Sequence, residues 1–137
     1  MARRPDEQAE IIAVTAKLLA AASAGDYTSY SQLSDPSLTA IEPETQGTVI
    51  EGLAFHKCVF DSIAHANKGK PPGPPSLNSI GRPHVRMLGP NHAVICYLRV
   101  TQNGLNFSAA QETRVWQREG AGQWKNVHFH RSPMAKL

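Results

Sequence analysis

Cysteine is scarce in this sequence: Cys58 and Cys96 are the two in 137 residues. That is too few for a disulfide scaffold. Each stands among apolar neighbours, so both are expected to be buried free thiols of a reducing, cytoplasmic compartment. Long apolar runs are absent too. The nearest approach is Ile11–Ala22, behind Met1-Ala2-Arg3-Arg4, and Asp6, Glu7, Glu10 and Lys17 interrupt the region. That excludes a membrane span and breaks the likeness to a signal peptide. Strong charge of one sign is missing as well. Fourteen Lys and Arg against eleven Asp and Glu leave a formal net charge of +3, scattered along the chain. Such a field is too weak to argue for nucleic acid. What remains is a globular composition, 41% hydrophobic and 18% charged, with enough chain for one core and not two. A single domain over 1–137 is expected, with its core over about 6–132.

The periodicity predicts a helix over Asp6–Ala24, because Ile11, Val14, Thr15, Leu18, Leu19 and Ala22 form one apolar stripe. Asp6, Glu7 and Glu10 suit the positive end of its dipole. Gly25 fits its stop, and Asp26 fits the cap of a short helix that Ser34-Asp35-Pro36 ends. Leu38–Glu42 and Thr48–Glu51 read as paired short strands around a Pro43–Gly47 turn. A third helix runs from Gly52 to about Ala66, with Phe55, Val59, Ile63 and Ala64 on one side and His56 and Phe60 beside them. The Pro/Gly-rich stretch at 67–78 reads as a crossing loop. Four strands follow: Ser79–Leu88, Ala93–Gln102, Leu105–Gln117 and Gln123–Ser132, with Asn103-Gly104 a strong hairpin signal. Helices first and hairpin-linked strands after define an α+β class, helices packed on one face of an antiparallel sheet.

Two oddities stand out in those strands. Alternation places Glu112, Arg114 and Trp116 on one face, and Val127, Phe129 and Arg131 on another. Ile95, Tyr97, Arg99 and Thr101 alternate with Val94, Cys96, Leu98 and Val100. Three neighbouring strands thus each set one arginine within a half-apolar surface, where a charge needs a partner. The Ala93–Gln102 strand is also apolar on both faces. One layer of helices covers one face, so the other reads as a contact between subunits.

Several blocks carry a resemblance: Gly-Asp-Tyr at 25–27, Ser-Asp-Pro at 34–36, Glu-Pro-Glu at 42–44, Glu-Gly-Leu at 51–53, Phe-His-Lys at 55–57, Cys-Tyr-Leu-Arg-Val-Thr-Gln at 96–102, Glu-Thr-Arg-Val-Trp at 112–116 and Trp-Lys-Asn-Val-His-Phe-His-Arg-Ser at 124–132. From about Glu7 to Ser132 the chain resembles the association, or hub, domain of calcium/calmodulin-dependent protein kinase II. The resemblance implies the cone of nuclear-transport-factor-2-like proteins, a long helix cradled by a strongly curved antiparallel sheet. It implies a non-catalytic domain that self-assembles into a large ring of dimers, a dodecamer or larger. Such a ring gathers the kinase domains of a calmodulin-binding parent. It also implies a cavity that binds acidic groups, falling here on His56, Arg99, Arg114 and Arg131. Ala64 stands near the place where the family often carries an aromatic residue able to fold over that cavity. The hairpin after Thr101-Gln102 is shorter than in the animal kinases, so ring size is expected to differ. Nothing before Asp6 looks like a kinase or a calmodulin-binding segment, and the chain reads either as a piece of a larger kinase or as a free-standing hub.

The arginines have two readings. A guanidinium fork matches a carboxylate or phosphate, so the cavity would capture small carboxylates or an acidic or phosphorylated peptide. Alternatively, Glu42, Glu44, Glu51 or Glu112 already neutralises them. His56 fits a rim position better than a catalytic base. His84, His128 and His130 do not reach a zinc ligand set, and neither metal nor cofactor is expected. Trp116, Trp124 and Tyr97 read as packing residues. The competing function is a small cone-fold enzyme, an isomerase, dehydratase or cyclase, working through an Asp or His base on a carbonyl compound.

Overall fold

The structure is a computed structural model and describes residues 5–73 and 76–134. The outermost residues of the expected domain, 1–4 and 135–137, and residues 74–75 of the crossing loop lie outside the described residues. Helix α1 spans Pro5–Ala24, with Asp6 and Glu7 in its first turn. Its stripe is buried as the spacing requires, through Ile11, Thr15, Leu18 and Leu19. It stops at Gly25, whose φ of +70° is a left-handed conformation that suits glycine. The amides of Gly25 and Asp26 turn back onto the carbonyls of Ala22 and Ala21. Helix α2 (Tyr27–Gln32) then starts on Asp26, whose Oδ1 accepts from the Ser29 amide at 3.1 Å.

Strand β1 (Ser34–Ile41), a 3-10 turn (Pro43–Thr45), strand β2 (Ile50–Glu51) and helix α3 (Ala54–Ala66) complete the first half. The second half is four strands: β3 (Ser76–Met87), β4 (His92–Asn103), β5 (Asn106–Gln117) and β6 (Lys125–Pro133). They form one six-stranded sheet in the order β2-β1-β6-β5-β4-β3. The expected antiparallel pairing holds everywhere except between β1 and β6, which run parallel, so the sheet is mixed. A parallel pair joins segments far apart in the chain and leaves no turn signature. Strand β1 begins at Ser34, before Pro36, and β3 begins at Ser76, inside the stretch read as loop.

Two irregularities bend the sheet. The β3–β4 register shifts between Gly81 and His84, where Arg82 adopts a φ of +47°. The β5–β6 register shifts between Val115 and Trp116, which face His128 and Asn126. Val127 is therefore the extra residue of a bulge, and a bulge reverses the alternation on one side of it. That corrects the expected face: Asn126 is fully buried and Phe129 nearly so, whereas Val127 is partly exposed.

One face of the sheet packs on α1. Met87, Ile95 and Trp116 meet Ile11, Leu18 and Leu19 in the main core. Trp116 is fully buried, and its indole N–H donates to Thr15 Oγ1 at 3.1 Å. Each of these aliphatic side chains stabilises the fold by about 1.5–3 kcal/mol. The opposite face of β4 carries Val94, Cys96, Leu98 and Val100, and it stays partly or fully open to solvent. Both cysteines are exposed, which overturns the expectation of buried thiols. Cys96 lies on this uncovered face, and Cys58 on the outward side of α3. Helix α3 differs as well: His56 and not Ile63 is its buried residue. Among the described residues no helix is long and apolar enough to cross a membrane.

Candidate functional site

A cavity of about 660 Å³ opens between the C-terminal turn of α1, helix α3 and the packed face of β4–β6. His56, Arg99, Arg114 and Arg131 all line it. Three adjacent strands each supply an arginine because the register puts their inward positions side by side. Tyr97 pairs with Glu112 and Glu112 with Arg131, while Arg114 lies opposite Ile95 and Phe129.

Glu112 sits at the centre, its side chain fully buried. It accepts from the Tyr97 hydroxyl, from Arg99 Nη1 at 3.1 Å and from Arg114 Nη2 at 3.2 Å. Burial pushes this carboxyl up, but Arg114, Arg99 and the Tyr97 hydroxyl outweigh it, and the net result lies below the ordinary glutamate value. The Tyr97 phenol is pushed up to about 12, by burial first and by the Glu112 charge as well, against the pull of Arg114. Arg114 is the most enclosed cation. Burial disfavours its charge, but Tyr97 and Glu112 overcome that and hold its pKa above the usual value. Its Nε donates to Tyr97 Oη at 3.0 Å and its Nη1 to Asn126 Oδ1 at 2.8 Å. The guanidinium also stacks on Phe129, 4.3 Å from the ring centre. All three of its nitrogens are engaged, so Arg114 holds the site together.

Arg99 and Arg131 are less committed. Arg99 donates through Nε to Asn78 Oδ1 at 3.0 Å and through Nη1 to Glu112. Arg131 pairs with Glu44 and lies 3.7 Å from Glu42 Oε1. Glu44 stands on the 3-10 turn and is 48% exposed, so its hold on Arg131 is open to solvent. Burial raises the Glu44 carboxyl, but the hydrogen bond from Arg131 and that cation's charge bring it below the ordinary value. His56 Nε2 lies 3.2 Å from Glu42 Oε2. A carboxylate only accepts, so Nε2 carries the hydrogen in this pair. Among the described residues, the buried His56 Nδ1 has no hydrogen-bond partner, which is uncommon for a buried ring nitrogen.

The internal pairing expected of the glutamates is present for Glu42, Glu44 and Glu112. Glu51 lies apart, exposed on β2. Sequence reasoning missed Asn126, Asn78 and Tyr30. Asn126 was hidden by the bulge; its Nδ2 donates to the carbonyls of Val115 and His128, both at 2.9 Å. Tyr30 is buried along the cavity wall, its phenol pushed up to about 12 chiefly by burial. Among the described residues, no three His, Cys, Asp or Glu side chains are placed to hold a metal ion.

This arrangement of a long helix against a bent sheet is that of the nuclear-transport-factor-2-like fold. An NTF2-like protein of Pseudomonas putida shares it at a TM-score of 0.75 and 17% identity, over 99% of this chain and 92% of that one, a likeness of fold alone. Residues 7–135 match the calcium/calmodulin-dependent protein kinase II association domain family, and the chain belongs to that family. The hub homology domain of the Chlamydomonas reinhardtii kinase is 43% identical, with a TM-score of 0.83 over 93% of this chain and 98% of that one. The kinase type II alpha chain of Drosophila melanogaster is 41% identical over 93% of this chain and 24% of its own length. The delta subunit of Oryctolagus cuniculus is 43% identical over 90% of this chain and 23% of its own. The chain thus spans about a quarter of the length of these curated relatives. What it matches is their association domain, not their catalytic part.

Proposed function

We propose that this chain is an oligomerisation hub, cytoplasmic, whose copies pair and close into a ring of dimers, a dodecamer or larger. Anything attached to such a ring, a kinase domain above all, is held at high effective concentration. The observation that carries the reading is the outward face of β4, where Val94, Leu98 and Val100 remain partly exposed because the helices cover the other face. A face of that kind marks association. Native mass spectrometry at micromolar protomer concentration is the test. The expected outcome is one species of many subunits, even in number; a monomer refutes the proposal.

The cavity supports a second role, capture of an acidic group, whether a small carboxylate or a side chain of an acidic or phosphorylated peptide. Arg99 and Arg131 would supply the donors, and an arriving carboxylate would replace Glu44 on Arg131. Arg114 would act through Glu112 and Phe129, and His56 would border the ligand. Calorimetric titration with butyrate should show binding that Arg99→Ala with Arg131→Ala abolishes. Absence of heat with the unmodified protein would remove this role and leave the hub intact.

A further inference from the structure

We propose that the outward face of β3–β6 is a self-complementary contact that its histidines make labile to acid. The inference rests on the self-association argued above. The strand register sets His84, Cys96, Thr113 and His130 in one row across the four strands. The next row holds Arg86, Val94, Val115 and His128. An apolar strip along β4 and β5 is therefore flanked by His84 and Arg86 on one side and by His128 and His130 on the other. His92 adds a further imidazole at the end of β4, opposite Gln117. Four of the six histidines in the chain thus share this face.

Among the described residues, no carboxylate pairs with them. In β3, β4, β5 and β6 the single acidic residue is Glu112, and it points into the core. The other acids belong to other elements. Glu51 of β2 pairs with Thr39 of β1, which pairs with His128, so Glu51 stands two strands from His128. Asp35 of β1 is occupied by the amide and hydroxyl of Ser37. Glu119 lies in the turn before β6. Arg82, in the β3 bulge, is exposed and adds positive charge. Of the histidines, His128 has a side-chain partner on its own chain, Thr39 Oγ1, 2.7 Å from its Nδ1.

When this face packs on its own copy, every charge it can meet across the contact from β3–β6 is positive or an imidazole. Neutral imidazoles are tolerated there and can share hydrogen bonds. Protonated ones repel one another and lose hydration with no counter-charge. The paired state therefore binds fewer protons than the separated copies, and acid favours separation. An ordinary imidazole titrates near pH 6.5. If one histidine per copy must stay neutral in the pair, the dissociation constant rises about 100-fold between pH 7.5 and 5.5; with two per copy it rises about 10⁴-fold. Glu112 is held below the ordinary glutamate value, so its ion pairs with Arg99 and Arg114 persist over this range.

The test is native mass spectrometry and light scattering at pH 7.5 and 5.5 at constant ionic strength, with tryptophan fluorescence as a check on folding. The expected result is an assembly that loses at least half its mass at pH 5.5, reversibly, while the buried Trp116 and Trp124 keep their emission. His84→Gln with His130→Gln should hold the assembly together at pH 5.5. Should that pair of changes prevent assembly at pH 7.5, each single change is read instead, and each should lower the midpoint pH of dissociation. Full mass retained at pH 5.5 overturns the inference and leaves the hub standing. A midpoint unmoved by every variant overturns it too. A monomer at pH 7.5 overturns both.

Discussion

Replacing Glu112 with Gln removes one charge and almost no volume. Its consequences follow from what surrounds it. Arg114, with a side chain 4% exposed, loses its carboxylate partner, and Arg99 loses one of its two acceptors. Removing one partner of a buried ion pair costs about 3–5 kcal/mol, because the remaining charge stays desolvated. Arg99 can turn toward the cavity, so the cost falls mainly on Arg114 and lies near the lower bound, about 3 kcal/mol. Set against a typical total of about 5–15 kcal/mol, that is a large fraction of the stability. In urea, with m about 2 kcal/mol/M, the midpoint should fall by about 1.5 M at fixed protomer concentration. Pairing Glu112→Gln with Arg114→Met should recover most of the loss, since the stranded cation is gone. The effect should also depend on pH with a definite sign. Glu112 has a folded pKa below its unfolded value, so its contribution is full above the unfolded value, near 4.3, and is lost as pH falls through the folded one. The gap between wild type and variant should close in that window. A midpoint shift under about 0.5 M at pH 7, or a gap that persists in strong acid, would refute the reasoning.

Three further outcomes are expected. Asn126→Ala leaves the carbonyls of Val115 and His128 and Arg114 Nη1 short of a partner, and should cost about 2–4 kcal/mol in the same urea assay. Trp116→Ala removes the largest fully buried side chain along with its bond to Thr15; a loss of about 3–5 kcal/mol is expected, and a loss under 1 would mean that the core collapses around the gap. Ellman's reagent at pH 7.5 should label Cys58 quickly and Cys96 slowly in the assembled protein, because Cys96 lies on the outward sheet face. Equal rates in a confirmed assembly would place the contact elsewhere.

Much of the candidate site was visible as a strand pattern. Period-two alternation along 95–101 and 112–116 needs only local geometry to put Tyr97, Arg99, Glu112, Arg114 and Trp116 inside together. The same logic failed at Val127, where the bulge inserts a residue that local periodicity cannot register. It fails again on α3, where spacing sets Ile63 on the apolar side although Ile63 is exposed. The helix is anchored instead by His56, packed among Tyr30, Phe55 and Phe129. Burial there depends on which strand lies beneath, and that strand, β6, is more than 50 residues away in the chain.

By itself, then, the order of residues determined the element types, the inward arginines and the doubly apolar β4, because each follows from spacing along one segment. It also carried the blocks that mark the family. The tertiary structure alone decided the rest: the parallel seating of β1 on β6, the inward turn of Asn126, the solvent exposure of both thiols and the choice of Glu112 as the shared partner of Arg99 and Arg114. Each of those depends on which distant segments come into register. Register is settled by the energy of the whole packed sheet and not by any one strand within it.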